Sequence, residues 1–385
     1  MKHYLNSILA LSLIVSGSAL FSSCGKDDPD PTPTSDKEQI LTTANAQFVN
    51  DVVVPTYRNL ADDCLEFQEA IDALKENPTQ ANVNKACELW KKARKDWELS
   101  EAFLHGAAKV YDIDPHIDTW PLVVTDLENL LNNDAMMANI DEVVANLNTG
   151  LVGFHGVEYI IFRDGQPRAI DAIPAKELAY ASAVAGDLAV SCLRLEASWA
   201  GHSKISAAKL AILEEAERDD DYEYGPNMLN AGKAGSTFRS VTDGTLQIFD
   251  GIITILDEVG PTKIGRPYYG TTADDINYIE SPHSWNSITD FHDNLLSARN
   301  VYYGAYSTAD DLQPQTGSLS RYVAQIDKQK DDDIKAAFTK ALAAVDAMPR
   351  PFVKNFKDPK VEEAIKAIAE LTEAFTAARL AVRNQ

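Results

Sequence analysis

In the stretch GLVGFHGVEYIIF at 150–162, His155 and Glu158 stand three residues apart. At about 100° per residue they lie about 60° apart on a helical wheel, on the face that also carries Val144, Leu147, Leu151 and Phe162. Both polar groups therefore point inward. An ionised carboxylate in such surroundings costs several kcal/mol unless it is neutralised, hydrogen-bonded or bound to a cation. An imidazole and a carboxylate spaced i, i+3 reach one point from adjacent turns, which suits metal ligation. A core histidine hydrogen-bonded to a glutamate fits the same pattern equally well. Gly150, Gly153 and Gly156 project from the opposite side, and since each weakens a helix, something must pack closely against them.

A second inward carboxylate is expected from a helix over 86–104, where Ala86, Leu89, Trp90, Ala93, Trp97 and Leu104 form one stripe with Glu101 at its edge. Arg94 lies on the same flank, so an internal salt bridge is the alternative use of that acid. His105, four residues further on, can join either arrangement or face solvent. Between the two segments runs YDIDPHIDTWP at 111–121, whose alternating acids resemble a calcium loop but lack its glycine and its twelfth-position acid. Asp118, fixed between Ile117 and Trp120-Pro121, is its best ligand candidate. His155, Glu158, Glu101 and Asp118 would give one nitrogen and several oxygens. That hard set suits a divalent or ferric ion, iron, manganese or calcium as well as zinc.

Other chemistries lack their residues. Neither H-E-x-x-H nor H-x-x-E-H occurs, so the usual zinc-peptidase arrangement is absent, and Glu158 or Glu101 would have to act as base in any hydrolysis. No serine or cysteine stands in an activating motif, and no glycine-rich phosphate loop is present. With 35 Lys and Arg against 58 Asp and Glu, the net charge of −23 argues against a nucleic-acid partner.

The elements that must position these groups read as long amphipathic segments parted by short breakers, with Asn77-Pro78-Thr79 a turn and Thr79 a cap. Asp164-Gly165 reads as a helix stop. The expected class is all-α, two bundle-like helical domains packed together, an N-terminal one over 37–215 that holds the His/Glu helix and a C-terminal one over 216–385. If 37–75 and 79–109 form a hairpin, Cys64 and Cys87 fall at similar heights, where a bridge or two buried thiols would both fit.

Residues 1–23 have the basic start and interrupted apolar run of an export signal peptide. Ser22-Ser23-Cys24 fits a lipoprotein cleavage site, with Cys24 as a lipid anchor in the outer membrane and a Pro-rich tether over 24–36. Gly25-Lys26-Asp27-Asp28 is similar to a surface-export signal, which extends the expected location from the cell envelope to the cell surface.

Several ordered segments share a further likeness. WELSEAFLHG at 97–106, Ile117-Asp118-Thr119-Trp120-Pro121, the G-x-H-x-x-E string Gly153, His155, Glu158, and SWNSITDFHDNLLSARNVYYGAY at 284–306 together resemble the imelysin family. The resemblance implies an all-helical protein of two bundle-like domains with a metal site near the G-x-H-x-x-E helix. It also implies either a metallopeptidase or a component of bacterial iron uptake, working with an uptake-system protein. Glu101 and Asp118 match acidic positions of the two neighbouring elements, while His105 stands where an aromatic residue is expected. A cell-envelope lipoprotein binding a metal ion, iron foremost, is the preferred expectation. A peptidase using the same residues and a metal-free binding scaffold are the competitors.

Overall fold

A computed structural model of the chain describes residues 36–218, 220 and 222–385. The signal peptide, Cys24 and nearly all of the tether lie outside the described residues. Asp36–Gln385 form one compact unit, and the all-α expectation holds throughout it. The described strands are Phe162–Arg163 and Gln166–Pro167, paired antiparallel around Asp164-Gly165. Asp164 and Gly165 both take positive φ, 50° and 76°, as a two-residue hairpin turn requires. The dipeptide thus stops the preceding helix and also folds the chain back into a small hairpin.

The first bundle is built on α1 (Asp36–Gln47), α2 (Val54–Glu76), α3 (Gln80–Glu98), α4 (Gly153–Ile161) and α5 (Ala175–Ala200). In α2 the buried positions Tyr57, Leu60, Ala61, Cys64, Phe67, Ile71 and Leu74 recur every three or four residues, so one face is apolar. Thr79 caps α3 as expected, its hydroxyl accepting from Asn82 N at 3.3 Å. Helix α5 is long and apolar enough to cross a membrane. Here it is instead the hub of the bundle, packed against α2 and α4.

The second bundle contains α6 (Val241–Glu258), α7 (Ser287–Tyr303), α8 (Lys328–Asp346) and α9 (Pro359–Asn384), the last two capped by Asp327 and Asp358. Helix α1 packs on α6, and α7 touches α3, α6 and α8. Almost every residue of α7 is buried, because it has a bundle on either side.

Two expected helices are shorter than their periodicity suggested. The one over 86–104 ends at Glu98, and Glu101 begins a separate 3-10 turn, Glu101–Phe103. The apolar run before His155 breaks into short turns, and α4 starts only at Gly153, where φ is +74°. A Cβ there would sit 2.3 Å from the Ile117 carbonyl oxygen, so the 116–117 backbone is the close neighbour that glycine admits. At Gly156 the neighbour is the Tyr180 hydroxyl of α5, which donates to Leu151 O at 2.5 Å. Cys64 and Cys87 are both buried and unbridged, and Cys64 faces Cys192 rather than Cys87.

Candidate metal centre

Five segments meet between the bundles: the end of α3, the turn at Glu101, the short helix Pro115–Asp118, α4, and the stretch from Lys263 through the first turns of α7. Each delivers charge to a buried interior. Glu158 is fully buried, and His155, Asp118 and Glu101 are 3%, 6% and 6% exposed.

His155 is held from both sides. Its Nδ1 lies 3.1 Å from Glu158 Oε2 and its Nε2 lies 3.1 Å from Asp118 Oδ1. The Nδ1 contact is a hydrogen bond. The Nε2 contact is close but off the line a hydrogen bond needs, so Nε2 stays unsatisfied. Burial opposes a charged imidazole, yet the two flanking carboxylates overcome it and push His155 up to about 9. An ion taken by Nε2 would therefore displace a proton.

Glu158 is spent on positioning. Its Oε1 accepts from His283 N at 3.0 Å, Ser284 N at 2.7 Å and Ser284 Oγ at 2.7 Å, while Oε2 fixes the imidazole. Burial would raise its pKa, but His155 and the Ser284 amide bring it below the ordinary value. The loop supplying those donors carries Ser281 and Trp285 at φ of 48° and 59°, a backbone form that side chains disfavour and that surrounding contacts must enforce. One such contact is the hairpin, where Gly165 N donates to His283 O at 2.9 Å and a Cβ on Gly165 would enter the Trp285 ring.

Asp118 is the shared member of the cluster. Its Oδ1 contacts Arg94 and its Oδ2 accepts from Trp97 Nε1 at 2.7 Å. Burial alone would lift this carboxyl, but Arg94 and then His155 hold it well below the usual carboxylate range. The internal salt bridge weighed for Arg94 and Glu101 forms with other partners: Glu101 pairs with Lys263, and Arg94 gathers several acids. Arg94 contacts Glu98 as well, lies 2.8 Å from Glu280 Oε1 and 3.9 Å from Asp290 Oδ2, and is wholly buried. A second buried cation, Lys263, stands 3.0 Å from Glu280, 3.5 Å from Glu101 and 3.9 Å from Glu98.

Counting these contacts, six carboxyl groups (Glu98, Glu101, Asp118, Glu158, Glu280 and Asp290) face Arg94, Lys263 and one imidazole. The acids are in excess, and burial raises the pKa of Glu98 and Glu101 well above normal against the pull of Arg94 and Lys263. Such an interior holds protons or a further cation. Two overlapping donor sets fit one ion. Asp118, His155 and Glu280 offer atoms within 4.8 Å of one another, as do Glu98, Glu101 and Asp118. That spacing is what ligands about 2.0–2.3 Å from a common centre can adopt. Glu280 Oε2, like His155 Nε2, is buried without a hydrogen-bond partner.

Three of the expected residues therefore lie at donor positions, His155 and Asp118 in one set, Glu101 with Asp118 in the other. Glu158 stands behind His155. Glu280, Glu98 and Lys263 were not foreseen. Glu98 had a signal in its i+4 spacing from Arg94, while Glu280 sits in an irregular stretch and Lys263 in the π-helical turn Val259–Ile264 that prolongs α6. His105 goes elsewhere: neither ring nitrogen has a partner, and the ring lies where a Cβ on Gly251 would be, 2.4 Å from Nδ1. It takes the packing place of an aromatic ring.

The imelysin family model, that of peptidase family M75, matches residues 53–378, a span that contains every residue of the cluster. The chain belongs to the imelysin family. Relatives of the chain include iron-regulated protein A of Synechococcus elongatus, 27% identical over 351 residues, covering 90% of this chain and 84% of that protein. Among solved structures, an iron-regulated protein A precursor from Parabacteroides distasonis superposes with a TM-score of 0.78 at 25% identity, covering 92% of this chain and 97% of the other. An imelysin-like protein from Psychrobacter arcticum shares the fold, with a TM-score of 0.63 at 14% identity over 89% and 95% of the two chains.

Proposed function

We propose that this member of the imelysin family binds a metal ion, iron foremost, at the Asp118, His155 and Glu280 donors, with Glu101 and Glu98 alongside, and that it serves iron uptake from the cell envelope. The observation that carries this reading is the pair of buried, unsatisfied donor atoms, His155 Nε2 and Glu280 Oε2, whose side chains share one donor set with Asp118. One nitrogen among oxygens is a hard set suited to iron or manganese. The iron-regulated name of the Synechococcus relative supports iron over the alternatives. Glu158 would then orient His155, as carboxylates behind ligating histidines do. Lipidated Cys24 would anchor the protein in the outer membrane, and an uptake-system protein would receive the ion.

Peptide hydrolysis with the same groups is disfavoured by burial. Glu158 is 0% exposed and Glu101 6%, so a scissile bond has no direct approach to either acid. Elemental analysis of chelator-free protein loaded anaerobically with Fe(II), and in parallel with Mn(II), Zn(II) or Ca(II), tests the proposal. About one ion per chain is expected in the wild type, falling at least tenfold in His155→Ala and Glu280→Gln. Wild type that retains no more ion than His155→Ala would leave a metal-free ion-pair scaffold as the reading. Metal-dependent cleavage of a peptide, abolished in Glu158→Ala, would restore the enzyme.

A further inference from the structure

Away from the metal centre, α2 and α5 pack along their length, and this contact holds Cys64 and Cys192. The two residues are 128 positions apart in sequence, both are 0% exposed, and their Sγ atoms lie 3.5 Å apart. Cys87 points elsewhere, its thiol 3.4 Å from the Ile161 carbonyl oxygen. We propose that Cys64 and Cys192 form a structural disulfide that staples α2 to α5.

Forming the bond brings the two sulfurs from 3.5 Å to about 2.05 Å. Oxidation removes two protons and two electrons from the thiols, and a disulfide donor, of the dithiol-oxidase or glutathione class, accepts them and leaves as two thiols. Exchange requires a thiolate and access to it. Burial raises the Cys64 thiol well above its ordinary value, so the folded interior offers neither. The bridge therefore forms while α2 and α5 are still coming together, and once closed it is shielded from reductants. Its location also gives it leverage. Helix α5 supplies Tyr180, which braces the start of α4 through Leu151, and α4 carries His155 and Glu158. The proposal does not depend on which ion, if any, the cluster binds.

The full chain, unfolded in reductant and refolded in a mixture of reduced and oxidised glutathione, is alkylated under denaturing conditions without reductant and mapped by mass spectrometry. The Cys64 and Cys192 peptides are expected joined, 2 Da lighter than the separate pair, with Cys87 alkylated. The bridged form should melt roughly 7 °C above the same protein refolded with reductant alone, as closing so long a loop in the unfolded chain predicts. Cys64 and Cys192 both fully alkylated after refolding in the redox mixture, or Cys64 joined to Cys87, would overturn the proposal. Cys64→Ser/Cys192→Ser should lose the difference in melting between the two refolding conditions. Persistence of that difference would assign it to another cause and also count against the staple.

Discussion

Replacing Arg94 by methionine removes the wholly buried cation that contacts Glu98 and Asp118, pairs with Glu280 and approaches Asp290. Methionine fills a comparable apolar volume, so the loss is mainly of charge. Removing one partner of a buried pair generally costs about 3–5 kcal/mol, because the other charge stays behind uncompensated. Lys263 remains beside Glu280 and Glu98, so the lower half of that range is expected at pH 7. For a body of about 350 residues, with an unfolding entropy near 2.1 cal/mol/K per residue, each kcal/mol moves the melting temperature by about 1.4 °C. R94M should therefore melt about 4–6 °C below wild type in scanning calorimetry. The sign with pH follows from Asp118, whose pKa in the folded protein is depressed. The stability it contributes through Arg94 is fully present above the ordinary carboxylate pKa near 4 and is lost as pH falls toward its lowered value. The Asp118 share of the R94M deficit should hold its full size at pH 7 and narrow only below about pH 4, whereas any share from Glu98 and Asp290, which burial raises, is lost at higher pH. A melting temperature within 1 °C of wild type at pH 7 would refute the reasoning, since it would mean that those acids do not need the guanidinium.

His105 supplies a second test. Burial lowers it to about 4, so below pH 6.5 the unfolded chain takes up a proton that the folded one refuses. Stability is full above pH 6.5 and falls by about 3 kcal/mol as pH drops to 4, and H105F should flatten that slope in denaturant titrations at pH 7, 5.5 and 4.5. For G153A, the positive φ and the Cβ placed 2.3 Å from Ile117 O combine backbone strain with a backbone clash. Denaturant unfolding should show a loss of about 3 kcal/mol or more, with lowered ion uptake because Asp118 and His155 meet across that contact.

The helical class, the Thr79 cap and the inward orientation of His155, Glu158 and Glu101 were legible from periodicity and spacing, while Asp118 was singled out only by its fixed place before Trp120-Pro121. Those signals are local. Periodicity overran the ends of two elements. The stripe through Leu104 continued past Glu98, because apolar spacing persists where the backbone turns, and the run before Gly153 broke up because positive φ at a glycine leaves no pattern in the neighbouring apolar residues. Glu280 and Lys263 were illegible for another reason. Glu280 lies outside any helix and Lys263 on the π-helical turn that prolongs α6, and neither local sequence shows the distant acids and Arg94 that each meets. His105 could be assigned to several environments until the glycine it packs against, Gly251, was placed 146 positions later in the chain.

The amides of His283 and Ser284 that clasp Glu158 come from more than 120 positions downstream of it. Synthesis of the first bundle alone would leave His155 and Asp118 without Glu280, without Lys263 and without that clasp. On the proposed reading the Asp118, His155 and Glu280 set would then be completed only when the later half of the polypeptide docks, and a fragment ended at residue 215 would be left with the Glu98, Glu101 and Asp118 donor set alone.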